Sequence, residues 1–442
     1  MNRLKTGMIV LLSGLAIYLA SQLWFANAPS RNFFYTFFAR PEPSGANDSR
    51  MFARPYRFII NFGNNKFLLE YGGMDSNILR ETCDGVIQSL LKDGAGLAGG
   101  LRPLNYTDAL GAPGYIYQYA FGVPPAAFGS AFGKNNFAEQ LKNITSVVFI
   151  PPDAIRTETI VWLLDEENME MSGYSVKAPV PPITTNPDDL SQEIIYGSSV
   201  LGLYGFPGKN LFIAQKRAEP YRYLSISVKN PYAEDELLMT AVEKNVNRFF
   251  ENPAAKLSFI GDNNVYTFSD ADTVVKYYQN DVLEYSNYRL GDAGADLLRS
   301  FSAALNFIKA DALVINEYYL AGFAPGDNGY TFYFDYVVNG LPLILPDEYK
   351  RGDAQGGSAS LDHALQITVR EGAVVNYKKI VYNFITDTTS KTAALDFSQF
   401  LAGNAGGGQI SDVLLGYKLE RTKKAYIYWI INMGGQTFSK IG

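Results

Sequence analysis

The sequence contains very little cysteine and histidine. Cys83 is the single cysteine and His363 the single histidine in 442 residues. One cysteine excludes a disulfide within the chain, and one histidine excludes a histidine-based metal cluster and an internal phosphorelay pair. We therefore expect Cys83 and His363 to be structural residues, and we expect no metal site and no cofactor.

Clustered basic charge is also absent. No run of Lys and Arg exceeds a pair, and 44 acidic against 38 basic residues give a net charge of −6. Proteins that bind nucleic acid need a concentrated basic surface, so we do not expect nucleic acid as a partner. The 47% of hydrophobic residues can form folded cores, and the length favours two or three domains.

One long apolar run lies at the start of the chain. The nineteen residues from Gly7 to Phe25 carry no charge, and as a helix they would span roughly 29 Å, close to the hydrocarbon core of about 30 Å. Arg3 and Lys5 precede the run, which predicts a cytoplasmic N-terminus and an extracytoplasmic bulk. The sequence thus predicts a single-pass membrane protein in the cell membrane, with residues 1–28 as the cytoplasmic N-terminus and anchor.

A cleaved signal peptide is the alternative interpretation of this run, because Ala26-Asn-Ala28 has the form of a cleavage site. The run is longer than a typical signal peptide core, and Pro29 would follow the cut. Trp24 and Phe25 are suited to the membrane interface, as are Arg3 and Lys5 on the other side. These features favour retention of the anchor.

Small residues recur along the predicted span in two narrow stripes. Small side chains let a second helix approach closely, and Ser or Gln can form a hydrogen bond across the contact. We predict that these residues pack against another transmembrane helix: Gly7, Ser13, Gly14, Ala16, Ala20, Ser21 and Gln22.

The rest of the chain alternates between strand and helix patterns, which predicts an α+β fold of antiparallel sheets with packed helices. A proline-rich stretch at 178–187 is the best candidate for a linker. We predict a juxtamembrane linker over 29–56 and extracytoplasmic α+β domains over 57–178, 188–290 and 291–442.

Periodicity and turn residues locate the individual elements. Hairpins are expected from the paired segments 58–62 with 67–71, 313–323 with 330–338, and 364–370 with 374–384. Helices are expected around 79–90 and over 233–250, 293–308 and 393–401. Further strands are expected at 146–150, 159–164, 221–228, 264–268, 274–278, 282–285, 410–419 and 425–433.

Candidate chemistry is sparse. Asp165-Glu-Glu167 with Glu170 could bind a cation on an exposed turn, although the spacing differs from that of a calcium loop. No nucleophile stands in a catalytic motif with the expected structural context. A single span, a large folded exterior and no catalytic constellation describe a binding or regulatory protein rather than an enzyme.

Several segments together resemble the YycH/YycI family of single-span membrane proteins. The anchor ends in Leu23-Trp24, as anchors of that family often do. The other matching segments are Phe268-Ser-Asp270, Leu283-Glu-Tyr285, Phe334 to Pro342 with its Asn339-Gly340 turn, Val369 to Tyr377, and Ile410 to Tyr417 with Trp429. Their order and spacing carry the resemblance, which covers the anchor and residues 260–435, and the chain length is closer to YycH.

The resemblance implies a non-enzymatic regulator of the essential WalK (YycG) sensor histidine kinase, which controls cell-wall metabolism in Gram-positive bacteria. It implies a YycI-like partner, or a second copy of the chain, and helix packing against the kinase within the membrane. Two alternatives stay open: an anchored extracellular ligand-binding or adhesion module, and a cell-wall-active enzyme.

Overall fold

The structure, a computed structural model, describes most of the chain after residue 49. The described residues are 50–64, 66–70, 77–96, 100–134, 137, 140–184, 195–199, 212–214, 221–232, 238–289, 291, 296–311, 317–339, 341–351, 357–393, 410–420, 422–433 and 436–440.

The N-terminal part of this region forms an antiparallel sheet. Its strands are β1 (Arg57–Gly63), β2 (Lys66–Glu70), β3 (Ala95–Gly96), β4 (Arg102–Pro103), β5 (Gly114–Val123), β6 (Ile144–Ile150), β7 (Thr159–Asp165), β8 (Glu170–Val176), β9 (Ile195–Ser199) and β10 (Phe212–Ala214). The strand order is β10-β9-β2-β1-β5-β6-β7-β8-β3, with β4 beside β8. All seven residues of β6 are buried, so this strand lies in the core of the sheet.

A second sheet holds the remaining described strands. They are β11 (Tyr221–Lys229), β12 (Leu257–Ile260), β13 (Tyr266–Ser269), β14 (Thr273–Tyr277), β15 (Val282–Asn287), β16 (Glu317–Gly326), β17 (Gly329–Val338), β18 (Leu341–Ile344), β19 (Leu365–Arg370), β20 (Ala373–Ile380), β21 (Asn383–Ala393), β22 (Ile410–Leu419), β23 (Lys424–Met433) and β24 (Gln436–Lys440).

Pairing in the second sheet follows the order β12-β13-β14-β15-β20-β19-β17-β18-β22-β23-β11-β21, with β16 beside β17 and β24 beside β23. The β18–β22 pair is parallel, and it joins the two halves of the sheet. The outer strand β12 exposes three apolar side chains, Leu257, Phe259 and Ile260, by 68%, 49% and 55%.

The described helices are α1 (Asn77–Asp93), α2 (Tyr106–Leu110), α3 (Pro125–Ala131), α4 (Leu238–Val246), α5 (Leu297–Ala310) and α6 (Asp347–Arg351). Helix α1 buries Cys83, Val86, Ile87 and Leu90, which recur at three- and four-residue steps. Asp296 caps α5, because its side chain accepts a hydrogen bond from the Arg299 amide at 2.8 Å.

An aromatic cluster joins the two sheets. The ring of Phe52 lies 5.6 Å from that of Phe121, in β5 of the first sheet, and 5.0 Å from that of Phe301 in α5. Phe323 of β16 completes the cluster at 5.6 Å from both Phe52 and Phe121. Edge-to-face contacts of this kind stabilise aromatic cores.

The predicted α+β class is confirmed, and the three predicted hairpins are present as β1–β2, β16–β17 and β19–β20. One predicted strand is divided: residues 374–384 belong to β20 and β21, with a break at Val381 and Tyr382. The predicted helix at 393–401 lies outside the described residues except for Ala393, which ends β21.

Among the residues described, no helix combines the length and the apolar character needed to cross a bilayer. The predicted span from Gly7 to Phe25 lies outside the described residues. The predicted domain boundaries at residues 178–188 and 290–291 stay predictions.

Candidate binding cleft

A polar cleft with a volume of about 390 Å³ opens in the second sheet. Its described lining comes from the β14–β15 turn, from α6 and its flanks, from the break between β20 and β21, and from the β22–β23 turn. Three carboxylates, of Asp281, Glu348 and Glu420, and one ammonium group, of Lys423, lie in this lining. The described walls therefore carry a net negative charge.

Asp281 is the hydrogen-bonding centre of the cleft. Its Oδ1 accepts from the Tyr277 hydroxyl at 2.8 Å and from the side-chain amide of Asn230. Its Oδ2 accepts from the Tyr382 hydroxyl at 2.9 Å and lies 3.1 Å from Nζ of Lys423. One carboxylate thus ties together the β14–β15 turn, the end of β11, the break after β20 and the β22–β23 turn.

Two buried tyrosines form the floor. The Tyr349 and Tyr382 hydroxyls lie 2.7 Å apart. Burial raises the pKa of Tyr349 to about 12, and burial together with Tyr349 and Asp281 raises the pKa of Tyr382. Both phenols are therefore neutral at physiological pH, and the Tyr382 hydroxyl can donate to the carboxylate.

The backbone and the side chain of Asp281 together explain the divided strand. The Val381 amide donates to the backbone carbonyl of Asp281 at 2.9 Å instead of continuing the ladder of β20. Tyr382 then points its hydroxyl at the carboxylate of Asp281. A hydrophobic pattern running through 374–384 carries no sign of this break, which depends on a turn about a hundred residues away.

Lys423 covers part of the cleft. Its Nζ lies 5.4 Å from the centroid of the Tyr382 ring, in the geometry of a cation–π contact. Its side chain is 50% exposed, whereas that of Asp281 is 15% exposed. The ammonium is thus held by a carboxylate and a ring while one side stays in contact with solvent.

A second charged cluster lies deeper in the sheet, around Asp311 at the end of α5. Its Oδ2 lies 2.5 Å from Nζ of Lys379 and accepts from the Tyr377 hydroxyl at 3.1 Å, and its Oδ1 pairs with Arg248. Burial lowers the pKa of Lys379 to about 8, against the opposite effect of the Asp311 carboxylate. Because Asp311 and Lys379 are buried, we assign this cluster to the stability of the fold.

His363 pairs with Asp335. Its Nδ1 lies 2.9 Å from Oδ2 of Asp335, whose Oδ1 accepts from the Ala364 amide at 3.1 Å. Burial on its own lowers the pKa of His363, but the carboxylates of Asp335 and Asp362 together outweigh burial, so the net shift is upward. This arrangement has the form of a structural pair, as the sequence led us to expect.

The acidic turn at Asp165 to Glu167 is occupied by internal hydrogen bonds. Asp165 accepts from the backbone and side-chain amides of Asn168 and from the Asn143 amide. Glu166 accepts from the hydroxyls of Tyr106, Thr145 and Ser146. No group of side chains suited to a metal ion occurs among the described residues.

Cys83 lies buried in α1, and burial raises the pKa of its thiol. A buried thiol with a raised pKa is a poor nucleophile.

The site residues predicted from the sequence all lie outside the described residues. They are the packing residues Gly7, Ser13, Gly14, Ala16, Ala20, Ser21 and Gln22 and the interface residues Arg3, Lys5, Trp24 and Phe25. The cleft around Asp281 was not predicted. The only local signal for it is the polar turn Gln279-Asn280-Asp281, where Asp281 has a positive φ of 61°.

Comparison with known proteins identifies a similar fold among solved structures. No protein-family model matches the chain, and no curated protein matches it. Among solved structures, the fold is similar to the crystal structure of YycH from Bacillus subtilis, with a TM-score of 0.56 and 12% sequence identity. The similarity covers 87% of this chain and 95% of that chain. At this identity the likeness concerns the fold, and the chain has the YycH-like fold that its sequence motifs indicated.

Proposed function

We propose that this chain is a membrane-anchored, non-enzymatic regulator of a sensor histidine kinase of the WalK (YycG) type. The observation that carries the proposal is the YycH-like fold, which extends over 87% of the chain. The predicted anchor supports it, because a single span would place this fold outside the membrane and a helix beside those of the kinase.

The proposed mechanism is a shift between two kinase conformations. A regulator helix that packs better against one conformation increases its population, and only the difference in packing free energy counts. Each difference of about 1.4 kcal/mol changes the ratio of the two conformations tenfold. The small-residue stripes around Gly14 and Ala16 are the proposed contact, since close helix approach in membranes depends on such residues.

The extracytoplasmic part is proposed to pair with a YycI-like single-span homologue or with a second copy of the chain. This pairing would place two spans beside the kinase and would fix their orientation. The direction of the effect, activation or repression, depends on which kinase conformation the spans favour.

Co-purification from the native membrane tests the proposal. The detergent-solubilised chain should recover a two-span histidine kinase, identified by mass spectrometry. Gly14→Leu should reduce this recovery, because a bulky side chain separates the helices. Leu19→Phe is the matched control, since it adds bulk away from both stripes and from Gln22 of the predicted helix. Failure to recover any kinase, or equal recovery with both variants, would contradict the proposed contact.

One observation favours a second candidate, an anchored ligand-binding module. The polar cleft of about 390 Å³ around Asp281 falls within the size range of small-molecule sites. Ligand binding and kinase regulation are compatible, because a regulator can carry its own ligand site.

A further inference from the structure

We propose that the cleft around Asp281 binds a small ligand through a primary ammonium group, carried by an alkyl diamine or by a lysine side chain. This proposal is independent of the kinase assignment, since it concerns only the described part of the chain.

Lys423 shows how the cleft recognises an ammonium. Its Nζ lies 3.1 Å from Oδ2 of Asp281 and 5.4 Å from the centroid of the Tyr382 ring. A carboxylate and the face of an aromatic ring are the two kinds of group that attract an alkylammonium ion in proteins. A ligand ammonium at the same place would find the same two partners.

The protein holds the Asp281 carboxylate in place, whereas a ligand ammonium can replace the ammonium of Lys423. The carboxylate of Asp281 is held by hydrogen bonds from Tyr277 and Tyr382, and 15% of its side chain is exposed. The Lys423 side chain is 50% exposed on a turn, so its ammonium can move into water at a small cost. Exchange of one ammonium for another leaves the charge at Asp281 balanced.

The cleft has room and charge for the rest of such a ligand. Its volume is about 390 Å³, and Glu348 and Glu420 add carboxylates to the described walls. These carboxylates favour a second positive group on the ligand and disfavour an anion. A linear diamine or a lysine in a short peptide fits this combination of one half-buried carboxylate, of Asp281, and two further carboxylates on the walls.

The test is calorimetric titration of the full, detergent-solubilised chain with 1,6-diaminohexane. Hexamethonium is the matched control ligand, because it has the same charge and spacing but no N–H donors. Nα-acetyl-lysine amide serves as a second probe and distinguishes a lysine side chain from a free diamine as the source of the ammonium.

Two lysine variants make the test specific. Lys423→Met removes the ammonium that competes with the ligand for the Asp281 carboxylate. Binding of the diamine should tighten about fivefold, because this carboxylate is then open to the ligand in every molecule. Lys424→Met makes the same change of charge one residue away, on an exposed side chain outside the described lining, and should change binding less than about twofold.

The outcomes are distinct. Binding of the diamine or of the lysine probe, with tightening only in Lys423→Met, supports the proposal and identifies the source. Equal effects of the two lysine variants, equal binding of hexamethonium, or no binding of either probe would overturn it. Glu348→Gln, an exposed change on the wall, should weaken binding of the diamine, and unchanged binding would contradict the proposed role of the walls.

Discussion

At the scale of single residues, Asp281 and Asp311 have different roles because their surroundings differ. Asp281 faces an open cleft and pairs with Lys423, whose side chain is 50% exposed. The side chain of Asp311 is wholly buried between Arg248 and Lys379. A buried ion pair is costly to break, because the remaining partner keeps its charge without compensation.

Asp311→Asn should therefore destabilise the protein strongly. The change leaves the buried ammonium of Lys379 without its counter-charge, and loss of one partner in such a pair costs about 3–5 kcal/mol. Denaturant unfolding of the purified chain measures the loss. Asp153→Asn is the control, since Asp153 pairs with Arg156 on the surface and its loss should have little effect. Similar losses in both variants would contradict the assigned role of Asp311.

His363 should make stability depend on pH. Burial lowers the pKa of His363 in the folded state, but the Asp335 and Asp362 carboxylates together raise it by more, so the folded chain keeps this proton to higher pH than the unfolded chain. The contribution is fully present below the unfolded pKa of about 6.5 and is lost as pH rises through the higher folded pKa.

The measurement is the free energy of unfolding at several values between about pH 6 and about pH 8. Wild type should lose stability across this range, and His363→Gln should show a flatter profile. No second histidine contributes to the difference between the two profiles, because His363 is the only one in the sequence. If the free energy of unfolding fell with pH as steeply in His363→Gln as in wild type, His363 would be ruled out as the source of the pH dependence.

At the scale of elements, local turn chemistry made the hairpins predictable. Asn328 and Glu371 both have positive φ, of 55° and 49°, and each is followed by a glycine. Such pairs close tight turns between strands, and they are visible in the sequence. The pattern in α1 was equally clear, because its buried residues are close neighbours along the chain.

The cleft could not be predicted in the same way. Asp281 and Lys423 are 142 residues apart, and each lies in a turn that looks ordinary by itself. They meet because β18 pairs with β22 in parallel and thereby joins two halves of the sheet. Pairing between strands that are far apart in the chain does not alter the local pattern of hydrophobic residues, so the sequence pattern does not predict it.

Two glycines of regular elements should respond to alanine in opposite ways. Gly85 lies inside α1 with nothing within 4 Å of the Cβ position, so Gly85→Ala should stabilise the protein by about 0.5–1 kcal/mol. A Cβ at Gly173 in β8 would lie 1.9 Å from the buried ring of Trp162, so Gly173→Ala should cost about 1–3 kcal/mol. Denaturant unfolding measures both changes, and a loss in Gly85→Ala would contradict the open space there.

The outer strand β12 should contribute to the pairing that we propose for the part of the chain outside the membrane. Among the described residues it pairs with β13 alone, so its outer backbone groups can accept an extended strand of the partner. Phe259→Lys should reduce recovery of the partner in co-purification. Ile155→Lys is the matched control, because Ile155 is 92% exposed on a loop of the first sheet. Equal recovery with both variants would exclude β12 as the contact.

At the scale of the whole molecule, the order of motifs predicted more than any single motif did. The fold resembles that of YycH although 12% of residues are identical. A core tolerates many substitutions as long as the pattern and volume of apolar residues are kept, which explains why fold likeness can persist when sequence identity is low. The aromatic cluster around Phe52 shows such a core contact between the two sheets.

We expect this chain to change the state of a sensor kinase through its predicted span. The most direct measurement is the autophosphorylation rate of a WalK-type kinase in proteoliposomes, with the chain, without it, and with Gly14→Leu. A coupling of about 1–3 kcal/mol predicts a change of about fivefold or more with the wild-type chain, and a much smaller change with the variant. The same rate with and without the wild-type chain would contradict the proposed regulation of the kinase.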